Sequence, residues 1–376
     1  MKPLDDDTRS LFVDTLRRLL PPAETSGAEA ARTDLWRDLA ESGIIGLGLP
    51  EWAGGFDAGM TDHGLVMRAL GGSLASTPYL SGAVMAGWLL AELEGERAAP
   101  DLSRMAGGNY RLGFAHYEPE SGFDAHRLTA RLAGSTGGLV VTGTKVRVLD
   151  AVGADAVLLS VRDAQGALRI CLVERGADGL NVESRAAVDG SDISTLVLRD
   201  TPARLLGEGD AARLVHTALD RGAVAACAEA LGVMEEVARH TREYLKTRRA
   251  FGKTLSQFQV LQHRYVDMLI ALEETRAVVA AAEAACDTAA EDTSLAIAAC
   301  KVVTSRAARF IGSQGIQLHG GVGVTDSLVI SHFYKRLMVL DAAFGHGEYH
   351  LRAHARRLQA AHRPTPASSV PARRRA

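Results

Sequence analysis

Paired cysteines are missing from this sequence. Its four cysteines, Cys171, Cys227, Cys286 and Cys300, stand too far apart to form a CxxC motif. That spacing argues against a zinc knuckle or a vicinal redox pair. An excess of one charge is missing too: 42 Lys and Arg face 45 Asp and Glu, for a net charge of −3. The balance gives no electrostatic case for nucleic acid or an anionic membrane surface as a partner. No apolar run reaches the roughly 18 residues of a membrane span, because charge or glycine interrupts each one. Met1 to Ser10 is acidic and has no apolar h-region, so no secretory signal is expected. There is no HExxH motif, and His116, His263, His319 and His350 are scattered. His346 and His350 are four apart and would share a helix face, but no third ligand accompanies them, so no metal is expected. There is no internal repeat. These absences describe a reduced, cytoplasmic, globular protein.

What is present is enough chain for two or three domains. The 376 residues are 47% hydrophobic and 23% charged, ordinary values for a protein with a sizeable core. The texture changes twice along the chain. Over residues 5–108, Leu11, Leu16, Leu19 and Leu20 recur at near-helical spacing, as do Leu35, Leu39 and Ile44. A break around Pro50, Gly54 and Gly55 precedes further apolar runs, Val66 to Leu74 and Ala83 to Leu93. An N-terminal helical domain is expected there. Over 109–205 short β-rich runs replace them: Leu139 to Val141, Lys145 to Leu149, Ala156 to Val161, Arg169 to Val173 and Thr195 to Leu198. An antiparallel β domain is expected, a barrel or a sandwich. Long helices do not alternate with the strands, which argues against a doubly wound sheet. Residues 206–362 return to helical spacing, with Leu261, Tyr265, Met268, Leu269 and Leu272 on one stripe and alanine-rich segments that favour close helix packing. The tail 363–376, rich in proline and arginine, is expected to be disordered. The fold class is therefore α+β, mostly α.

Two stretches carry chemistry. Arg248-Arg249-Ala250-Phe251-Gly252-Lys253 leads to Gln257-Phe258-Gln259. A glycine stop and basic residues at a helix C-terminus account for part of it. The rest suits a dinucleotide: an arginine fork for pyrophosphate, an aromatic for stacking, and a glutamine amide for a ring edge. Gln317-Leu318-His319-Gly320-Gly321-Val322-Gly323 lets backbone approach a phosphate. It is not a Rossmann fingerprint, since no strand precedes it.

Taken together, these stretches resemble the acyl-CoA dehydrogenase family. The resemblance spans about residues 5 to 355. Its other anchors are Leu49-Pro50-Glu51 with Gly54-Gly55, then Glu118-Pro119 with Asp124, and Gly143-Thr144-Lys145. It implies a helical domain, a central β domain and a C-terminal four-helix bundle. It implies FAD as cofactor, an acyl-CoA thioester as substrate and an electron acceptor such as an electron-transfer flavoprotein. FAD in the family crosses a subunit interface. The outward contacts match Arg248, Phe251, Phe258, Gln259, Gln317, Gly320 and Gly321 here.

The flavin-side positions differ from the family pattern. Tyr117 precedes Glu118-Pro119 where the family has threonine, and Phe123 replaces a serine. Arg147 and Leu149 replace a tryptophan and a threonine, and Gly347 replaces another threonine. The catalytic carboxylate is missing as well. Its two family positions match the Phe344-Gly345-His346 stretch and Gly222. Asp220 and Glu348 are close in sequence, but a shift of two or three residues turns them to other helix faces. The resemblance therefore points to the base-lacking subunit of a hetero-oligomer, like those that pair two chains in steroid side-chain degradation. A bulky CoA thioester would suit that type. Two alternatives stand beside it: a homo-oligomeric dehydrogenase with a relocated base, and a flavin-free binding or structural member of the fold.

Overall fold

The computed structural model describes residues 4–21, 23, 35–135, 138–290 and 292–361. The proline- and arginine-rich tail lies outside them.

Helices come first. α1 (Asp6–Leu19) starts on Asp5, whose carboxylate accepts the Thr8 N–H and so satisfies one orphan donor of the first turn. α2 (Leu35–Glu41), α3 (Met60–Ser73), a π-helical stretch Tyr79–Gly87 running into α4 (Trp88–Glu94), and α5 (Ala99–Ala106) follow. Leu16, Leu39, Met67, Leu89 and Leu102 bury into one core. Leu11 does not join them: it is 69% exposed, so the apolar face of α1 is narrower than its spacing suggested.

The strands are β1 (Leu112–Ala115), β2 (Arg131–Ser135), β3 (Gly138–Leu149), β4 (Ala156–Arg162), β5 (Leu168–Glu174), β6 (Leu180–Ala186), β7 (Asp192–Pro202) and β8 (Arg204–Leu206). They form one sheet in the order β6-β7-β3-β2-β4-β5-β8, with β1 also paired to β4. The sheet is mixed, not purely antiparallel: β1 and β2 each run parallel to β4. The β2–β3 hairpin intervenes between β1 and β4, so no tight turn forces those two to reverse. Side chains alternate between two cores. Leu112, Phe114, Leu158 and Ile170 face the helices, while Ala115, Val157, Leu159 and Cys171 close a second core with Val141 and Leu196.

The chain then returns to helices: α6 (Ala212–Thr247), α7 (Gln259–Thr288), α8 (Thr293–His319), α9 (Val329–Ala342) and α10 (Gly347–Ala361). A side chain at Gly71 of α3 or Gly232 of α6 would strike the backbone of the other helix, so these two helices pack main chain to main chain. α6 and α8 end together. The Tyr244 hydroxyl donates to the His319 carbonyl at 3.2 Å, with their rings 4.4 Å apart. At the end of α9 the buried Lys301 ammonium donates to the carbonyls of Leu340 (3.4 Å) and Ala343 (2.8 Å). A cation there satisfies carbonyls that the helix leaves open. Phe344 and Gly345 follow with φ of 55° and 94° and turn the chain into α10. No helix among the described residues is long and apolar enough to cross a membrane.

Candidate ligand cleft and outward cofactor surface

A cavity of about 410 Å³ lies between the sheet and the helices. The π-helical stretch supplies Ser81 and Met85, and the sheet supplies Phe114, Leu149 and Ile193. α6 supplies Leu219, and the end of α9 supplies Met338 and Val339. Tyr117, Phe123, Arg147 and Phe344 complete much of the wall, and no acidic side chain lines it.

The structure brings the two expected base positions together. A Cβ built on Gly222 would lie 2.7 Å from Phe344 Cε1 and 2.7 Å from Met85 Sδ. The Phe344 ring thus covers the helix surface where one carboxylate would stand, and Gly345 beside it has no side chain to offer. Neither substitute reaches the cavity. Asp220 pairs with His216 at 3.0 Å and faces a separate space of about 80 Å³ behind Tyr117 and Phe344. Glu348 is exposed on α10. His346 lies just before α10, and His350 donates from Nε2 to the Phe344 carbonyl at 2.9 Å. His346 Nδ1 accepts the Tyr349 N–H at 3.3 Å, so both imidazoles are engaged at the turn into α10; no group of three potential ligands occurs among the described residues.

Glu118 is a structural carboxylate. It accepts from Lys145 Nζ at 2.7 Å, from the Thr129 N–H and hydroxyl at 2.6 Å each, and from the Ala130 N–H at 3.1 Å. Burial alone would raise its pKa, but Lys145 and the Thr129 bonds hold it below its ordinary value. His116 sits next to it with Nδ1 2.8 Å from the Ser160 hydroxyl. Burial, aided by Lys145, pushes its pKa down to about 3, so this imidazole is neutral.

Three of the changes read in the sequence, Tyr117, Phe123 and Arg147, form one cluster; Leu149 lines the cavity, and a side chain at Gly347 would meet Ser305 of α8 instead. The β3–β7 register shifts between Lys145 and Val148, and Arg147 within that bulge has φ 56°. Bulges re-aim side chains, and this one sends the guanidinium to the cavity mouth. There it donates to the Gly122 carbonyl at 2.7 Å and lies 4.6 Å from the centre of the Phe123 ring. Tyr117, His346 and Tyr349 surround the same ring at 5.6, 6.1 and 5.6 Å, and the Tyr349 hydroxyl donates to the Phe123 carbonyl at 2.9 Å. Aromatic bulk tied by hydrogen bonds fills that flank of the cleft.

The seven outward residues gather at the other end of the bundle. α6 stops at Thr247, and Arg248 caps it. Gly252 is not the helix stop that the sequence suggested: with Phe251 it forms the turn of a two-stranded ribbon, β9 (Arg249–Ala250) and β10 (Lys253–Thr254), at φ 51° and 82°. Phe251 is 94% exposed. Arg248, Gln259, Gln317, Gly320 and Gly321 are exposed too, and Phe258 is half-buried under Lys253, whose ammonium is 4.2 Å from its ring centre. The Tyr244–His319 contact holds the α8 end against the α6 end, so the arginine and the glycine turn share one surface.

Sequence reasoning missed one carboxyl. Asp150, in a left-handed turn at φ 55°, accepts the Ser81 hydroxyl at 2.6 Å behind the Leu149 wall. Burial pushes its pKa up to about 6. Nothing in the sequence marks it, because its burial depends on the π-helical stretch 70 residues upstream. Close by, Arg336 of α9 bridges Asp189 of the β6–β7 turn (2.9 Å) and Glu229 of α6 (2.6 Å).

Comparison with known proteins agrees with this architecture. The model of the acyl-CoA dehydrogenase N-terminal domain matches residues 6–95, and that of the C-terminal domain matches 209–359. Acryloyl-CoA reductase (NADH) of Anaerotignum propionicum is 28% identical over 330 residues, covering 84% of each chain. Acyl-CoA dehydrogenase FadE27 of Mycobacterium tuberculosis is 27% identical over 335 residues, covering 86% of this chain and 88% of its own. Among solved structures, the Tcur3481-Tcur3483 steroid ACAD superposes with a TM-score of 0.84 at 27% identity, over 94% of this chain and 98% of that one.

Proposed function

The chain belongs to the acyl-CoA dehydrogenase family, and from that premise we propose that it is the base-lacking half of a hetero-oligomeric, FAD-dependent acyl-CoA dehydrogenase. Bound FAD would supply the acceptor for a hydride from the β carbon, and the reaction would also need a carboxylate to remove the α proton. This chain offers no carboxylate for that task. The observation that carries the reading is the Phe344 ring seated on Gly222, which leaves both family base positions without an acid and a cavity wall without one. An ordinary loss of one residue would leave a hole; here the space is filled.

The two sides of the cofactor fit differently. The outward surface suits an FAD held by a second subunit: Arg248 presents its donors to a pyrophosphate, Phe251 gives an uncovered ring face, and Gln317 and Gly320-Gly321 allow close backbone approach. The inward flank does not suit an isoalloxazine in this chain's own cleft. Phe123, Arg147 and Tyr349 occupy it, and they are tied to Gly122 and to each other. Exposed apolar side chains on α7, Val260 (64%), Val266 (49%) and Ile270 (54%), support assembly with another subunit. The likeness to a steroid ACAD favours a bulky acyl-CoA as the substrate of the assembly, with an electron-transfer flavoprotein as acceptor.

The visible spectrum of the chain purified alone, and again after co-expression with a second family member encoded beside it, tests the reading. The lone chain is expected to be colourless, and the pair is expected to gain flavin and acyl-CoA oxidation. A stoichiometric flavin band in the lone chain would refute it.

A further inference from the structure

We propose that the cleft of this chain is a flavin-free binding site for an apolar carboxylic acid, whose head group sits on Arg147 and whose body fills the 410 Å³ cavity. The inference rests on the reading that no flavin enters this cleft, and it assigns the space that remains a ligand of its own.

Three observations carry it. The cavity falls in the size range of small-molecule sites and is walled by side chains such as Met85, Phe114, Leu149 and Leu219. Each methylene buried there is worth about fourfold in affinity. The mouth carries one cation and no anion. Arg147 lines the cavity and is also exposed to solvent, and no lining residue is acidic. Lastly, the arginine is preset. Its left-handed bulge backbone, the bond to the Gly122 carbonyl and the stacking on Phe123 hold the guanidinium plane in one place. That contact engages one of its five donors, and the fork geometry matches a carboxylate.

The position of Arg147 also selects the head group. A carboxylate joined directly to an apolar body reaches the mouth when the body fills the cavity. A CoA thioester places a neutral carbonyl there, with its phosphates many bonds farther out. The site therefore fits the free acid better than the thioester.

Calorimetric titration of the lone full-length chain with dodecanoate, dodecanol and dodecanoyl-CoA decides the matter. Dodecanoate is expected to bind one per chain. Arg147→Gln should weaken dodecanoate about tenfold or more, the scale of a charge-assisted bond, and leave dodecanol unchanged. Leu219→Trp should abolish binding of both, with circular dichroism confirming that each variant is folded. Equal affinity of wild type and Arg147→Gln for dodecanoate would overturn the proposal. So would a colourless, folded wild type that fails to bind it, or dodecanoyl-CoA binding more tightly than the acid. A yellow lone chain would instead overturn the half-site reading beneath it.

Discussion

Gly222→Ala is the most informative substitution for the cleft. The new methyl would meet Met85 Sδ and Phe344 Cε1 at 2.7 Å and Phe344 Cζ at 2.8 Å, all inside contact distance. Met85 is flexible at its end and can swing away. The Phe344 ring cannot move as easily. Its backbone is fixed at φ 55° between the Lys301-capped end of α9 and the Gly345 turn. Overpacking of this kind costs about 1–3 kcal/mol. Replacing a helix-interior glycine with alanine returns about 1 kcal/mol. The net effect is a loss of up to about 2 kcal/mol. In a Phe344→Gly background the ring is gone and the left-handed backbone is relaxed, so the same Gly222→Ala change should become neutral or stabilising by up to about 1 kcal/mol. The double-mutant cycle, read from urea unfolding midpoints at constant m-value, should therefore give a coupling of about 1–2 kcal/mol. Additivity within about 0.5 kcal/mol would refute the claim that the ring occupies the base position. The same logic says that Gly222→Glu alone cannot seat a carboxylate in the cavity, and that room for one requires the Phe344 change first.

Three further outcomes are expected. Asp150 has its pKa raised from 3.8 to about 6, so the folded state gains stability as pH falls from 6 toward 4 and carries the full cost of a buried charge above 6. Asp150→Asn keeps an acceptor for Ser81 and should be more stable than wild type at pH 7.5 by on the order of 2–3 kcal/mol, with the gap closing at pH 4; a less stable variant at pH 7.5 would contradict the assignment. Arg336→Leu strands Glu229 and Asp189 without their shared cation and should cost about 3–5 kcal/mol in urea unfolding, whereas a loss below about 1 kcal/mol would show that the bridge is not structural. Arg248→Ala should leave the stability of the lone chain unchanged, since its side chain is exposed, yet lower the flavin content of the co-expressed pair; unchanged flavin would remove Arg248 from the cofactor surface.

The helix, sheet and helix order was legible because apolar periodicity changes from about 3.6 to 2 and back, and the runs are long enough to show it. The two stretches proposed to meet a cofactor could be singled out for a different reason. Arg248 to Gln259 and Gln317 to Gly323 are continuous in sequence, so local chemistry survives in the string. What the string hid depends on contacts between distant segments. The parallel placement of β1 beside β4 joins residues about 44 apart. The seating of Phe344 on Gly222 joins α6 to the turn after α9. Each changed residue of the inward flank was visible alone, but Phe123, Arg147 and Tyr349 become a plug only when β3, the loop before β2 and α10 converge. Gly252 shows the opposite case. The glycine was rightly noticed and wrongly employed, because the two strands of the ribbon, and not the helix, demanded the turn.

The ribbon that carries Phe251 has a consequence for the life of the protein in a cell. An unassembled copy holds up a nearly naked phenylalanine, with Val324 at 70% and Val260 at 64% exposure elsewhere on its surface. Exposed apolar surface of this kind is what holdase chaperones grip and what feeds aggregation. A cell that made this chain in excess would therefore lose the surplus to quality control. In the proposed assembly, its abundance would then be set by how fast the second subunit covers the ribbon and not by its own rate of synthesis.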